Sequence, residues 1–290
     1  MNSETEFPPH TTDMIQSVSV FNARSGPHGR TRAALDDIIR GALAWPFWTL
    51  IGWYDIKQRY RRTTLGPLWI TISMGLLTLV LGIIYGSIFK KPIGDYLVYL
   101  AGGIITWFFV SSTIMEGTTV FIAAEGIIKQ GSIPISIHIY RVIWRNLIVL
   151  LHNVAVLAVI YLLFRSVSSL NPLLFVMGLF LLVGNLLIAT AVLGILSTRF
   201  RDIPQMMTSL MQVLFYITPI LYEPSQLPTQ LRLIALYNPI YHVIEVFREP
   251  LIGEVPDLLS YGVAATTLVV GGLATFLLFR RFRARIAYWV

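Results

Sequence analysis

The chain has 290 residues, 55% of them hydrophobic and only 13% charged, with a mean hydropathy of +0.69; soluble domains carry about 25% charged residues, so an ordinary soluble domain is excluded. The net charge of +7 does not indicate nucleic acid, because the basic residues border apolar runs, where lipid headgroups and the positive-inside rule account for them. Cysteine is absent, which rules out disulfides and thiolate metal sites.

In chain order, residues 1–34 lack the apolar core of a signal peptide and have the polar, Pro- and Gly-containing composition of a disordered cytoplasmic tail. Residues 35–67 differ. Leu35, Ile38, Ile39, Ala42 and Leu43 fall at helical spacing, Pro46 interrupts, and Trp48, Leu50, Ile51, Trp53, Tyr54 and Ile56 lead to Lys57, Arg59, Arg61 and Arg62. Aromatic residues against basic ones predict an amphipathic helix lying in the membrane interface; a cytoplasmic helix packed on another protein is the other reading. Residues 68–285 contain six segments near the roughly 20 residues a crossing requires, at 68–89, 96–118, 142–164, 173–197, 203–221 and 258–279. With both termini inside, every one of the 22 Lys and Arg falls on cytoplasmic segments except Lys90, Lys91, Arg165, Arg232 and Arg248, which sets the orientation. Residues 223–257 begin and end outside yet hold two apolar runs broken at Asn238-Pro239. They predict a re-entrant helical hairpin, which membranes tolerate only where it is buried in protein or lines a cavity. The expected fold class is an all-α membrane protein: six transmembrane helices, an N-terminal amphipathic interface helix, and a re-entrant hairpin before the last span.

Charged turns mark the cytoplasmic surface. The run from Thr198 to Gln205 lies between two apolar segments, and Asp202, Pro204 and Gln205 have the spacing of a capped helix start. The 125–134 loop holds a short apolar-basic helix ended by Gly131 and Pro134; Ile127 and Ile128 beside Lys129 form either a docking surface or a turn resting on lipid. Glu116 is expected near the inner interface, solvated or capping, with a gating role through a basic partner as the alternative. Near the midplane, Asn153 and Asn185 either bond across helices or line a polar pathway. Trp107, Phe108, Phe215 and Tyr216 lie too deep for an aromatic belt and are lipid-facing bulk or stacking faces for sugar rings.

No P-loop is present and the dipeptide Gly-Lys does not occur, so the chain does not bind ATP through that motif. The five histidines lack metal-ligand spacing, and no G-x-S-x-G is found. Catalysis by this chain alone is not expected.

The segment from Asp55 to Trp69 (DIKQRYRRTTLGPLW) resembles the interface helix and first-span start of bacterial polysaccharide-export permeases, the type-2 ABC exporters of O-antigen, capsule and teichoic acid. The resemblance continues through Ile127-Ile-Lys129 with Ile133-Pro134, then FRDIP at Phe200–Pro204, TPILY at Thr218–Tyr222, and Tyr237-Asn238-Pro239 with Phe247-Arg248. Five short motifs in the right order are specific; the extension before Ala44 departs from shorter members of the family. The resemblance implies a homodimeric channel in the bacterial inner membrane, driven by two copies of a P-loop ATPase that binds ATP and Mg, with no cofactor in this chain. Ile127, Ile128, Lys129, Ile133, Pro134, Arg201 and Asp202 would couple to that ATPase. Tyr54, Lys57, Arg59, Tyr60 and Arg61 would admit a lipid-linked polysaccharide, and Tyr237, Asn238, Pro239, Glu245 and Arg248 would form a re-entrant gate. Trp107, Phe108, Asn153, Asn185, Phe215 and Tyr216 are candidates to line the channel, Trp107 and Tyr216 at positions that no family motif fixes. Membrane lipids are expected partners and nucleic acid is not. Exporters of a drug or small lipid on the same scaffold, and a membrane glycosyltransferase, are the competing readings. A secondary transporter would need midplane ionisable groups and related halves, and neither is visible.

Overall fold

A computed structural model describes residues 27–66, 68–131, 133–164 and 171–290; most of the expected N-terminal tail, residues 1–26, and Arg165 lie outside them. Among the described residues there are eleven α-helices and no strand. They are α1 (Pro27–Leu43), α2 (Trp45–Arg59), α3 (Leu68–Phe89), α4 (Ile93–Thr118), α5 (Glu125–Gln130), α6 (Ser136–Phe164), α7 (Pro172–Arg199), α8 (Ile203–Ile217), α9 (Thr229–Leu236), α10 (Pro239–Leu251) and α11 (Leu258–Trp289). Residues 27–34, expected in the tail, are the first turns of α1, and Ala34 there is fully buried. The interface region is two helices that meet at Ala44, with Pro46 in the first turn of α2, where its missing N–H costs nothing.

Helices α3, α4, α6, α7 and α11 are long and apolar enough to cross a membrane. The expected span 203–221 is not one continuous helix. α8 ends at Ile217 after 15 residues, about 22 Å at 1.5 Å per residue, short of the roughly 30 Å hydrocarbon core. Pro219 is the cause: it disfavours helical backbone at the preceding residue, and Thr218 is extended at φ −80°, ψ 131°.

The bundle is built around α4, the most buried of the long helices. At one end α3 finishes, α4 begins and α6 finishes: Gly86 lies against Tyr96, and Gly94 against Phe164. There Phe175 of α7 packs on Phe247 of α10, and Ser260 of α11 meets His242. This end carries α10 and is called the hairpin end after the hairpin expected at 223–257. Gly178 lets α7 approach the α10 backbone so closely that a Cβ there would lie 1.9 Å from the Val246 carbonyl oxygen. At the opposite end α1 joins α11 through Arg283 and Asp37, and the α7–α8 turn reaches Trp289. Both described termini therefore meet at this terminal end. Phe121, Ala124, Ile128, Ile139, Ile195 and Ile286 form an apolar core there, separate from the large core around α4.

Candidate functional site

Three clusters hold the residues singled out in the sequence. At the terminal end, Asp55 of α2 takes a forked pair of bonds from Arg141 (Nε at 2.7 Å, Nη2 at 2.5 Å) and a third from Arg145 at 2.9 Å. Glu116 of α4 accepts from Arg145 at 2.6 Å, Arg59 at 3.0 Å and Asn146 at 2.7 Å, and Asn146 accepts in turn from Ser112. Glu116 is thus held by basic partners, not merely solvated or capping. Charge-assisted forks of this kind are directional, so the junction fixes α2 against α4 and α6. Three guanidinium groups face two carboxylates, which leaves one positive charge in excess. Lys57, Arg61 and Arg62 beside them are exposed, as is Tyr54, and Tyr60 ends α2. Such a surface attracts anionic headgroups and phosphates.

The second cluster is the α5 loop. Gly131 closes α5 in the left-handed region at φ 66°, the usual conformation one residue past a helix end. Ile127 is exposed, and Lys129 pairs with Glu125 one turn back; that ammonium holds the Glu125 carboxyl below its usual range. Ile128 is not on the surface as expected. It is 6% exposed and sits in the terminal core together with Phe121 and with Ala124 of the 3-10 turn that leads into α5. Ile133 and Pro134 are half-buried. In the nearby turn, Arg201 donates to the Trp289 carbonyl at 2.8 Å, and Arg199 lies 5.4 Å over the Trp289 ring. Asp202 occupies the N-cap position but makes no side-chain capping bond. Its backbone is already helical, at φ −85°, ψ −18°, whereas a capping residue is typically extended.

The third cluster, at the hairpin end, brings distant motifs together. Asn238 caps α10 by accepting from Ile240 N–H and donates to Thr218 Oγ1 at 2.9 Å; Pro239 follows as the first helical residue. Arg248 pairs with the buried Glu245 carboxylate, donates to the Pro219 carbonyl at 2.7 Å and to Tyr99 OH at 3.0 Å, and stacks 4.4 Å over the Tyr99 ring. Tyr99 donates to the Tyr222 carbonyl and Tyr96 to that of Leu221. The backbone freed where α8 stops is thereby satisfied by side chains. Tyr237 is fully exposed beside this clasp. Next to it lies a cavity of about 300 Å³ lined by Tyr99, Arg248 and the carboxylates of Asp95, Glu223, Glu249 and Glu254. Among the described residues no group of three His, Asp or Glu is arranged to hold a metal ion.

The candidate channel residues separate. Trp107 is buried against Phe215 at 5.7 Å, while Phe108 and Tyr216 are exposed. Asn185 bonds across to the Ala264 carbonyl of α11, and Asn153 is buried with Oδ1 unpartnered. Sequence reasoning missed Asp55, Arg141, Arg145 and Asn146 as one unit. The signal was available: like charges at i and i+4 on a helix repel, so Arg141 and Arg145 together called for facing acids. It also missed Tyr96 and Tyr99 as hydrogen-bonding partners of the chain beyond α8.

Residues 47–252 match the family model described as ABC-2 type transporter. The chain is 28% identical over 199 residues to an O-antigen export system permease protein of Klebsiella pneumoniae, covering 67% of this chain and 76% of that one. It is 24% identical over 224 residues to a polysialic acid transport protein of Escherichia coli, covering 76% and 86%. An O-antigen export system permease protein of Myxococcus xanthus is 21% identical over 171 residues, covering 59% and 66%. With more than half of its length matched, this all-helical, multi-pass membrane chain belongs to the ABC-2 type transporter family, as a transport subunit that is not itself catalytic.

Proposed function

We propose that the chain is the channel-forming permease of an ATP-driven exporter that moves a lipid-linked polysaccharide, of the O-antigen or capsular type, across the bacterial inner membrane. Two copies form the channel and two copies of a separate P-loop ATPase drive it. The observation that carries this reading is the alignment, over most of the chain, with permeases named for O-antigen and polysialic acid.

The positions of the two described ends support six crossings. Five long helices alone would put the termini on opposite sides, yet both described ends meet at one end of the bundle. α8 with its extended continuation to Leu221 makes the sixth crossing, and the α9–α10 pair is the re-entrant hairpin. The terminal end, with the basic junction, is cytoplasmic by the charge rule. There α5 and the Arg201–Asp202 turn face the ATPase, with Ile127, Lys129 and Pro134 in contact and Ile128 holding α5 in place from beneath. The hairpin is the outer gate.

The path runs beside the one open stripe of α4. Between Leu100 and Thr118, where the rest of the helix is buried, Phe108, Ser111, Ser112, Met115 and Glu116 are exposed or half-exposed, at the spacing of one helical face. Phe108 and Tyr216 offer aromatic faces to sugar rings. Trp107 supports Phe215 from behind. The exposed apolar flanks of α3 and α8, including Leu76, Ile83, Met206 and Leu210, provide surface for lipid and for the second copy.

The test is reconstitution with a P-loop ATPase subunit purified with the chain. ATP-dependent accumulation of lipid-linked glycan inside inside-out vesicles is the expected result. Accumulation of a small lipid or drug instead, or no ATPase partner at all, overturns the reading.

A further inference from the structure

The N-terminal helix α1 lies before the family-matched region, which begins at residue 47, and the function above gives it no task. Its contacts are specific. The Asp37 side chain is fully buried and takes three donors: Ile135 N–H on Oδ2 at 3.2 Å, Ser136 N–H on Oδ1 at 3.0 Å, and Arg283 Nε of α11 on Oδ2 at 2.6 Å. The Asp37 carbonyl accepts from Ser136 Oγ at 2.7 Å, and the Ile38 carbonyl from Tyr140 OH at 3.3 Å. Ile135 and Ser136 are the first residues past Pro134, where the α5 loop ends and α6 begins. The first N–H groups of a helix have no partner within it and favour a negative charge. Asp37 supplies both from another helix. Ala34, one turn earlier, packs into the same core as Ile128 of α5 and Ile286 of α11.

We propose that Asp37 is a positioning residue of the transport cycle: through it, α1 ties the exit of the α5 loop to α11, so that force on α5 moves α6 and α11 as one body. This rests on the reading that the α5 loop contacts the ATPase. A buried carboxylate is costly unless paired and hydrogen-bonded, and here both oxygens are used, so the tie is rigid. Asparagine keeps the shape but offers one acceptor oxygen and no charge. With its oxygen toward Ser136 it leaves Ile135 N–H and Arg283 unpartnered. With the amide turned over it leaves Ser136 N–H unpartnered, and in both cases Arg283 loses its counter-charge.

The chain has no native cysteine, so spin labels can be placed at Gln130→Cys on α5 and Ala284→Cys on α11, both exposed. The full-length chain is measured in nanodiscs, alone and with the ATPase, without nucleotide and with trapped ADP-vanadate. For the otherwise native protein we expect one narrow α5–α11 distance that does not change with nucleotide. In D37N the distribution should widen at least twofold and become nucleotide-dependent in the complex, a response that mere loss of stability does not produce. Should D37N not assemble, R283Q keeps both N–H bonds to the carboxylate and should widen the distribution by a smaller factor. A native distance that shifts with nucleotide, or unchanged widths in the variants, overturns the proposal. Failure of the native chain to assemble with any ATPase defeats the exporter reading instead, and the tie is then decided by the widths in the chain alone.

Discussion

At the terminal end three arginines share Asp55 and Glu116, and their side chains are between 15% and 48% exposed; at the hairpin end the buried pair of Glu245 and Arg248 is 2% and 3% exposed. Water reaches the outer member of the first group, Arg59, and screens its bond, while the more enclosed Arg145 spans both carboxylates, so the loss of one outer bond is shared by the rest. The second group has no such reserve. Its charges are out of water, and each depends on the other and on Tyr99 and the Pro219 carbonyl. The terminal junction can therefore adjust as a partner moves against it, while the hairpin clasp holds or fails as a unit.

That contrast breaks first at Arg248. Replacing it with methionine strands the Glu245 carboxylate and should cost about 3–5 kcal/mol, read as a fall in the unfolding midpoint of the solubilised protein. The E245M/R248M double variant should regain most of the loss, and a single variant as stable as the parent would remove the clasp from the account. Next comes the terminal core: I128A should cost about 2–5 kcal/mol as a core truncation. I127A, one position away and exposed, should leave stability within about 0.5 kcal/mol but weaken ATPase assembly in a pull-down. Equal behaviour of the two variants would mean that α5 is seated differently. Within the junction, R145M removes bonds to both carboxylates and should cost about 1.5–3 kcal/mol. R59M removes one exposed bond and should cost less than about 1 kcal/mol. The R59M effect should vanish in 1 M salt, where the Debye length is about 3 Å, and the R145M effect should persist; a comparison by chemical denaturation at two ionic strengths decides it.

Much of the architecture was legible in the sequence because long apolar runs and paired breakers are local signals. The five long helices and the Asn238-Pro239 break are of this kind. Two errors were also local. Pro219 carried an unread signal for the end of α8 through its effect on Thr218, and Ile128 follows the apolar Phe121 and Ala124, which it joins in the terminal core. In both cases the hydropathy of the segment outweighed its geometry. The remaining features depend on long-range contacts that no window reveals. Asp37 meets Ser136 and Arg283 from distant parts of the chain, and Arg248 reaches Tyr99. Asp202 has the right chemistry for a cap, but the conformation of a tight turn decides whether a side chain turns inward.

The early stop of α8 has a mechanical consequence. Its terminal-end turn is held by Arg201 on the Trp289 carbonyl, and its hairpin-end continuation by Tyr96, Tyr99, Asn238 and Arg248. Between these anchors Met206, Leu210, Val213 and Tyr216 form an exposed outer flank. α8 is a beam supported at its ends and along its inner side, where Met211 and Phe215 pack on the core around α4, and open along its outer flank. Its tilt is set by whatever seats against that flank, and any tilt is delivered to the anchors, where the chain is already bent.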